Sequence, residues 1–160
     1  MRIEVVESLA DYTGADARPA IFLAGGMHGC PDWRSEAIGM IERLQPAVGE
    51  LAVFCPRKSS APAFDENMVA WEHRHLRLAD LILFWFPDGD AHQPIALYEL
   101  GAAAASGRPV VVGTGPGYLR RQDVVAQLKY ARPELTVHSE LTSVVRGAIE
   151  KIGRTRLRAA

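Results

Sequence analysis

Short, continuous apolar runs alternate along this chain with longer stretches whose apolar residues recur at helical spacing. The runs are Ala20–Ala24, Leu51–Cys55, Leu81–Phe86, Pro109–Val112 and Leu135–His138. They are rich in β-branched and aromatic residues and do not alternate with polar ones. That is the signature of strands buried on both faces, as in a parallel sheet. Between them lie Asp32–Gln45, Asp65–Ala79, Pro94–Ser106 and Arg120–Tyr130, and Ser139–Ile152 follows the last run. Asp32, Asp65 and Ser139 are suited to N-caps, Pro94 to a first helical position, and Gly107 and Gly153 to helix ends.

Five strand–helix units predict an α/β three-layer sandwich with a flavodoxin-like, five-stranded parallel sheet in the order 2-1-3-4-5, because parallel crossovers are right-handed. Ile3–Val6 could add an N-terminal edge strand, and Ser8–Pro19 reads as a loop. There is no internal repeat or linker, and 160 residues predict one domain, residues 1–160, around one core.

That architecture directs attention to the carboxyl ends of the strands, where open α/β sheets bind ligands. The segments there are Gly25 to Trp33, Pro56-Arg57-Lys58, Pro87 to Gln93 and Gly113 to Tyr118. The loop after the first core strand and the loop before Glu99 are therefore expected to share one cleft. Glu99 is the one acidic residue between Ala91 and Gln122, set among Leu, Ala and Gly. Burial penalises a charged carboxylate, whereas a helix N-terminus favours it. Such a group can be a nucleophile toward an electrophilic carbon, or it can be structural, satisfying backbone amides or pairing with a cation such as Arg57.

The remaining candidates are read one by one. Asp80, at a helix-to-strand junction, reads from its position as a solvent-facing residue at the amino end of the strand. Gly25, Gly26 and Gly29 allow close backbone approach to a ligand, but they spell neither GxGxxG nor a P-loop. Gly113 to Tyr118 is either a mobile cover or a tight turn. Trp33, beside the glycine loop, is a candidate stacking platform for a nucleobase, whereas Trp71 reads as core. His73 and His75, two apart on a helix, face different sides, so no metal site is expected from them with His28 and Cys30. GxSxG is absent.

Composition narrows the partners. A net charge of −1 and 23 % charged residues create no field that would draw in nucleic acid or an anionic membrane. The basic stretch Lys151 to Arg158 reads as a solvated tail. Two cysteines, Cys30 and Cys55, form no framework, no apolar run is long enough to span a bilayer, and the first residues carry acids where a signal peptide is apolar. A cytoplasmic protein is the expectation.

The segments Ile21-Phe22-Leu23-Ala24-Gly25-Gly26, Ala79-Asp80, Tyr98-Glu99-Leu100-Gly101-Ala102 and Gly107-Arg108-Pro109-Val110 together resemble the nucleoside 2-deoxyribosyltransferase family. Trp33 with Phe84-Trp85-Phe86-Pro87 resembles its divergent "like" branch, and the resemblance covers Ala20 to Tyr130. It implies that Glu99 attacks the anomeric carbon of a 2-deoxynucleoside, displaces the base and passes the sugar to a second base with retention. It also implies that Asp80 places sugar and base, that no cofactor is used, and that a homo-oligomer completes the site. The partners would be a nucleoside and a free nucleobase. Proton delivery to the leaving base would fall to Asp80, Asp88 or Asp90.

Two positions depart from the family. Phe22 stands where members often have a tyrosine that orients the nucleophile. Gln93 stands where the better-studied transferases have an aspartate on the sugar hydroxyls; its amide can still hydrogen-bond a sugar, and with the Gly25–Gly29 loop it is expected to contact sugar or base. Related monophosphate hydrolases carry a serine near that position to help hold a 5′-phosphate, which Gln93-Pro94 does not match. The same glutamate could instead serve a nucleoside or nucleotide N-glycosidase with water as acceptor. A catalytically silent nucleotide-binding module would retain the fold alone.

Overall fold

The computed structural model describes residues 3–12, 18–44, 49–57 and 64–159, with side chains described as far as residue 155. Gln45 and Lys58, and the side chains of Arg156 and Arg158, lie outside the described residues. Six parallel strands form one sheet: β1 (Ile3–Glu7), β2 (Ala20–Gly25), β3 (Leu51–Cys55), β4 (Leu81–Phe86), β5 (Val110–Thr114) and β6 (Val137–His138). Their spatial order is β1-β3-β2-β4-β5-β6, so the sheet has six strands rather than five. The core strands keep the expected 2-1-3-4-5 order, and the N-terminal strand joins at the edge, pairing Ile3 with Leu51 and Val6 with Phe54.

The helices among the described residues are α1 (Trp33–Leu44), α2 (Glu66–Leu78), α3 (Pro94–Ala105), α4 (Arg121–Ala131) and α5 (Leu141–Ala159). Because both strand faces are apolar, side chains of alternate hand feed two cores. Phe22, Phe54 and Phe84 pack beneath α2, α3 and α4, with Trp71, Leu100 and Val124 above them. Ile21, Leu23, Val53 and Leu83 pack against α1 and α5, through Trp33, Ala37, Val144 and Ala148.

Local signals act largely as expected. Asp65 accepts a hydrogen bond from the Asn67 N–H at 2.9 Å, and Asp32 accepts from the Ser35 N–H at 3.2 Å. Gly107 takes φ +69° with Gly107 N–H donating to Ala104 O and Arg108 N–H to Ala103 O, a Schellman end to α3. Two expectations are corrected. Gly153 does not end α5, which runs on to Ala159 with Thr155 Oγ1 donating to Lys151 O at 3.1 Å. Ser139 is not the residue next to α5; its hydroxyl accepts from Arg121 at 3.0 Å, and Glu140 O receives the Val144 N–H.

Candidate active site

The carboxyl end of β2 is shaped by glycines that have no room for a side chain. Gly25 has φ +136°, and a Cβ there would lie 1.9 Å from the Trp85 carbonyl oxygen. A Cβ on Gly26 would meet Cys30 Sγ at 2.7 Å and Pro87 Cδ at 2.8 Å. Both glycines thus permit packing of loop on loop, rather than leaving backbone open to a ligand. The carbonyls they present are occupied too. Gly26 O accepts from Trp33 Nε1 at 2.8 Å and from Arg34 Nη1 at 2.9 Å.

Arg34, in the first turn of α1, is buried, and its guanidinium spends its N–H groups on main-chain oxygens. Nε donates to Leu23 O at 3.2 Å and Nη2 to Gly25 O at 3.3 Å. Among the described residues no carboxylate bonds it directly, and its charge acts on its surroundings at a distance. Glu99 and Glu72 both feel it. The cation whose charge acts on Glu99 is Arg34. Arg57, the partner considered from the sequence, pairs with Glu7 at 2.9 Å and Asp32 at 3.6 Å instead.

Glu99 is half-buried in the second turn of α3, flanking the buried stripe of Ala96, Leu100 and Ala103. Burial raises its pKa to about 7, with the Glu72 carboxylate adding to the rise and Arg34 opposing it. Glu72, half-buried on α2, is itself raised by burial, against the pull of Arg34 and His73. The sequence pointed to neither Arg34 nor Glu72. A polar residue in an amphipathic helix reads as solvated, and only the neighbouring elements reveal otherwise.

Gln93 joins the two loops. It sits at the N-cap of α3 in the left-handed region, φ +54° and ψ +54°, a conformation that costs a non-glycine residue about 1 kcal/mol. Its side chain holds it there. Oε1 accepts from the Met27 N–H at 3.0 Å, while Nε2 donates to His28 O at 2.6 Å and contacts Cys30 Sγ at 3.1 Å. The loop after β2 and the loop before α3 are brought into contact, and Gln93 is engaged with protein at both ends of its amide.

Three other candidates fall elsewhere. Trp33 is 2 % exposed, packed on Ala37 and Ile41, with its indole N–H on Gly26 O. It braces the loop and offers no face for stacking. Phe22 is wholly buried, 6.2 Å from the Trp71 ring centre to centre, and forms apolar floor beneath the α2 and α3 helices. Asp80 is exposed at the amino end of β4, where its carboxylate accepts from the Ala20 N–H at 2.8 Å. Six residues of strand separate it from the cleft, roughly 20 Å. Its placement matches the reading from position alone, and the role implied by the resemblance does not fit it.

The Gly113 to Tyr118 segment is a tight turn tied to the loop after β4. Gly115 N–H donates to Phe86 O at 2.8 Å, Gly117 N–H to Asp88 Oδ1 at 2.6 Å, and the Tyr118 hydroxyl to His92 O at 2.8 Å. Asp88 thus has one oxygen committed to that turn. Among the described residues no three His, Cys, Asp or Glu side chains come together to hold a metal ion. Nor, among them, is any helix long and apolar enough to cross a membrane.

Comparison with curated proteins finds no match for the chain. A family model described as "Nucleoside 2-deoxyribosyltransferase like" matches residues 18–118, a span running from β2 through the α3 helix to Tyr118 and including Arg34, Glu72, Gln93 and Glu99. With more than half its length so matched, the chain belongs to the nucleoside 2-deoxyribosyltransferase-like family.

Proposed function

We propose that this protein cleaves an N-glycosidic bond of a 2-deoxynucleoside and transfers the sugar to a second nucleobase, with Glu99 as nucleophile. The observation that carries the reading is the setting of Glu99. It is a half-buried carboxylate beside the ligand-binding end of a parallel sheet, with a pKa of about 7, in a chain of this family. Near neutrality about half of such a group is ionised, so it is nucleophilic yet poorly solvated.

The chemistry follows that of retaining glycoside cleavage. The Glu99 carboxylate attacks C1′ as the C1′–N bond breaks, and the base departs with the electron pair and takes up a proton. A second base then attacks C1′ of the glutamyl ester from the opposite side and frees Glu99, giving net retention. The absence of a 2′-hydroxyl eases development of positive charge at C1′. No cofactor is called for, since the ester keeps the sugar activated between the two bases. The remaining parts of the reading are a cytoplasmic setting and a homo-oligomer. What supports assembly is exposed apolar surface on α3, on α4 and in the turn before α4, with Ile95, Tyr98, Val125 and Leu119 at 66 %, 68 %, 40 % and 50 % exposure.

The test is chromatographic. The protein is incubated with deoxyadenosine, deoxyinosine or thymidine, with and without a free acceptor base, beside Glu99→Ala. New nucleoside formed only with acceptor is the expected result. Free base without acceptor identifies an N-glycosidase using the same glutamate. Turnover unchanged in Glu99→Ala overturns the nucleophile assignment, and no turnover of any nucleoside or monophosphate leaves a binding module.

A further inference from the structure

We propose that Arg34 is a positioning residue: its guanidinium stands in for the strand ladder that Pro56 interrupts, and so fixes the loop against which Gln93 sets the helix of Glu99. The kinetic consequence rests on the glycosyl-transfer reading above, whereas the hold on the loop does not.

The sheet parts between two of its strands. β2 pairs with β3 only as far as Phe22 opposite Phe54. Yet β2 goes on beside β4 to Gly25 opposite Trp85, and β3 goes on beside β1 to Cys55 opposite Glu7. The sequence supplies the reason. Peptide groups of successive residues in a strand point to opposite edges. Pro19 O accepts from the Ala52 N–H on the β3 side, whereas Ala20 O accepts from the Asp80 N–H on the β4 side. Leu23 and Gly25 therefore turn their carbonyls toward β3. Carrying the Pro19–Ala52 bond along the same register brings Ile21 O opposite the Phe54 N–H, and Leu23 O opposite residue 56. That residue is Pro56, which has no N–H to give.

Arg34 supplies the missing donors. Its Nε donates to Leu23 O at 3.2 Å, Nη2 to Gly25 O at 3.3 Å and Nη1 to Gly26 O at 2.9 Å. The first two acceptors lie on the edge that β3 has left, where a buried carbonyl without a donor is costly. A flat guanidinium fork suits two acceptors in line along a strand edge, which the point charge of a lysine does not. The Trp33 ring lies 4.5 Å from the guanidinium carbon, and its indole N–H shares Gly26 O. At 7 % exposure the fork is closed in by protein.

The hold passes along the main chain toward Glu99. While Gly26 O is taken by Arg34 and Trp33, the Gly26 N–H donates to Trp85 O at 2.9 Å. The Met27 N–H and His28 O, next in the chain, are the groups that Gln93 clamps. Gln93 O in turn receives the Leu97 N–H at 3.0 Å, in the first turn of the helix that carries Glu99. Arg34 acts on the reaction through this series of bonds.

The test uses the full chain with Arg34→Lys, which keeps the charge and loses the fork, and with Pro56→Ala, which returns an N–H opposite Leu23 O. Rates are read with deoxyadenosine and a free acceptor base, well below the Tm of each protein. Arg34→Lys is expected to lower kcat by about 10–100-fold with KM within about threefold. Pro56→Ala alone is expected to leave kcat within about twofold, and added to Arg34→Lys to raise kcat again by at least about threefold. Amide hydrogen exchange by NMR needs no turnover. In Arg34→Lys the Gly26 and Met27 amides are expected to exchange at least about tenfold faster, while the Ile82 amide, bonded to Pro109 O, is unchanged. Pro56→Ala is expected to slow them again. A kcat that does not fall, a loss that Pro56→Ala does not relieve, or exchange that quickens uniformly across the sheet overturns the proposal. If the parent turns over no nucleoside, the glycosyl reading fails, and exchange at Gly26 and Met27 still decides whether Arg34 holds the loop. If Arg34→Lys does not fold, the parent's own Arg34 Nε–H decides: slow exchange at neutral pH is expected, and rapid exchange overturns the hold.

Discussion

The side-chain carbonyl of Gln93 accepts the backbone N–H of Met27 at 3.0 Å, across 66 residues of sequence. With its amide on His28 O, this clamp ties the loop after β2 to the start of the helix that carries Glu99. It also retains a left-handed non-glycine residue at the α3 N-cap.

Replacing Gln93 with Asp, the residue of the better-studied transferases, is therefore expected to harm this protein. A carboxylate cannot donate to His28 O and is shorter than the gap it must span. The loss of two hydrogen bonds, one leaving a partly buried acceptor bare, costs about 2 kcal/mol. Thermal unfolding is expected to show a Tm roughly 4–8 °C lower, with no gain in sugar transfer.

Glu99 makes stability depend on pH in a defined direction. Its folded-state pKa of about 7 lies above the ordinary 4.5, so the folded protein holds this proton more tightly than the unfolded chain. The opposing term is absent below pH about 4.5, grows as the pH rises toward 7 and is constant above it. Glu99→Gln removes it, and is expected to raise stability by about 2 kcal/mol at pH 8 and by little at pH 4.5. Urea unfolding of the two proteins at both pH values measures the difference.

Trp33 braces a loop and is closed to ligand. Trp33→Phe keeps an aromatic ring in the α1 core, removes the indole donor to Gly26 O and trims the buried bicyclic ring to one ring. Stability is expected to fall by about 1 kcal/mol, while KM for a nucleoside stays within about twofold. A KM rise of tenfold or more would return Trp33 to the binding surface.

Asp80 secures the first N–H of β2 at the far end of the sheet. Asp80→Asn is expected to leave kcat/KM within about threefold and to reduce stability by about 1 kcal/mol. Steady-state kinetics beside Glu99→Ala, which is expected to lose nearly all turnover, separate a strand-end residue from one that handles substrate.

The continuous apolar runs determined the parallel sheet and its core strand order, and pointed to the end of it where open sheets bind ligands, because strands buried on both faces leave few topologies. They also singled out Glu99, an acid among Leu, Ala and Gly whose desolvation is legible from its neighbours along the helix. The runs did not reveal which charged groups of other helices act on Glu99. Arg34 and Glu72 lie in amphipathic helices whose polar positions all look solvated in one dimension, and their charge acts on Glu99 only through distances between α1, α2 and α3. Trp33 and Gln93 looked available for ligand, and the tertiary structure turned both onto backbone groups of the Gly26 to Cys30 loop that needed partners. Periodicity assigns a residue to a face. Which groups share a hydrogen bond depends on separations of a few ångströms between elements far apart in sequence, and only the folded chain sets those.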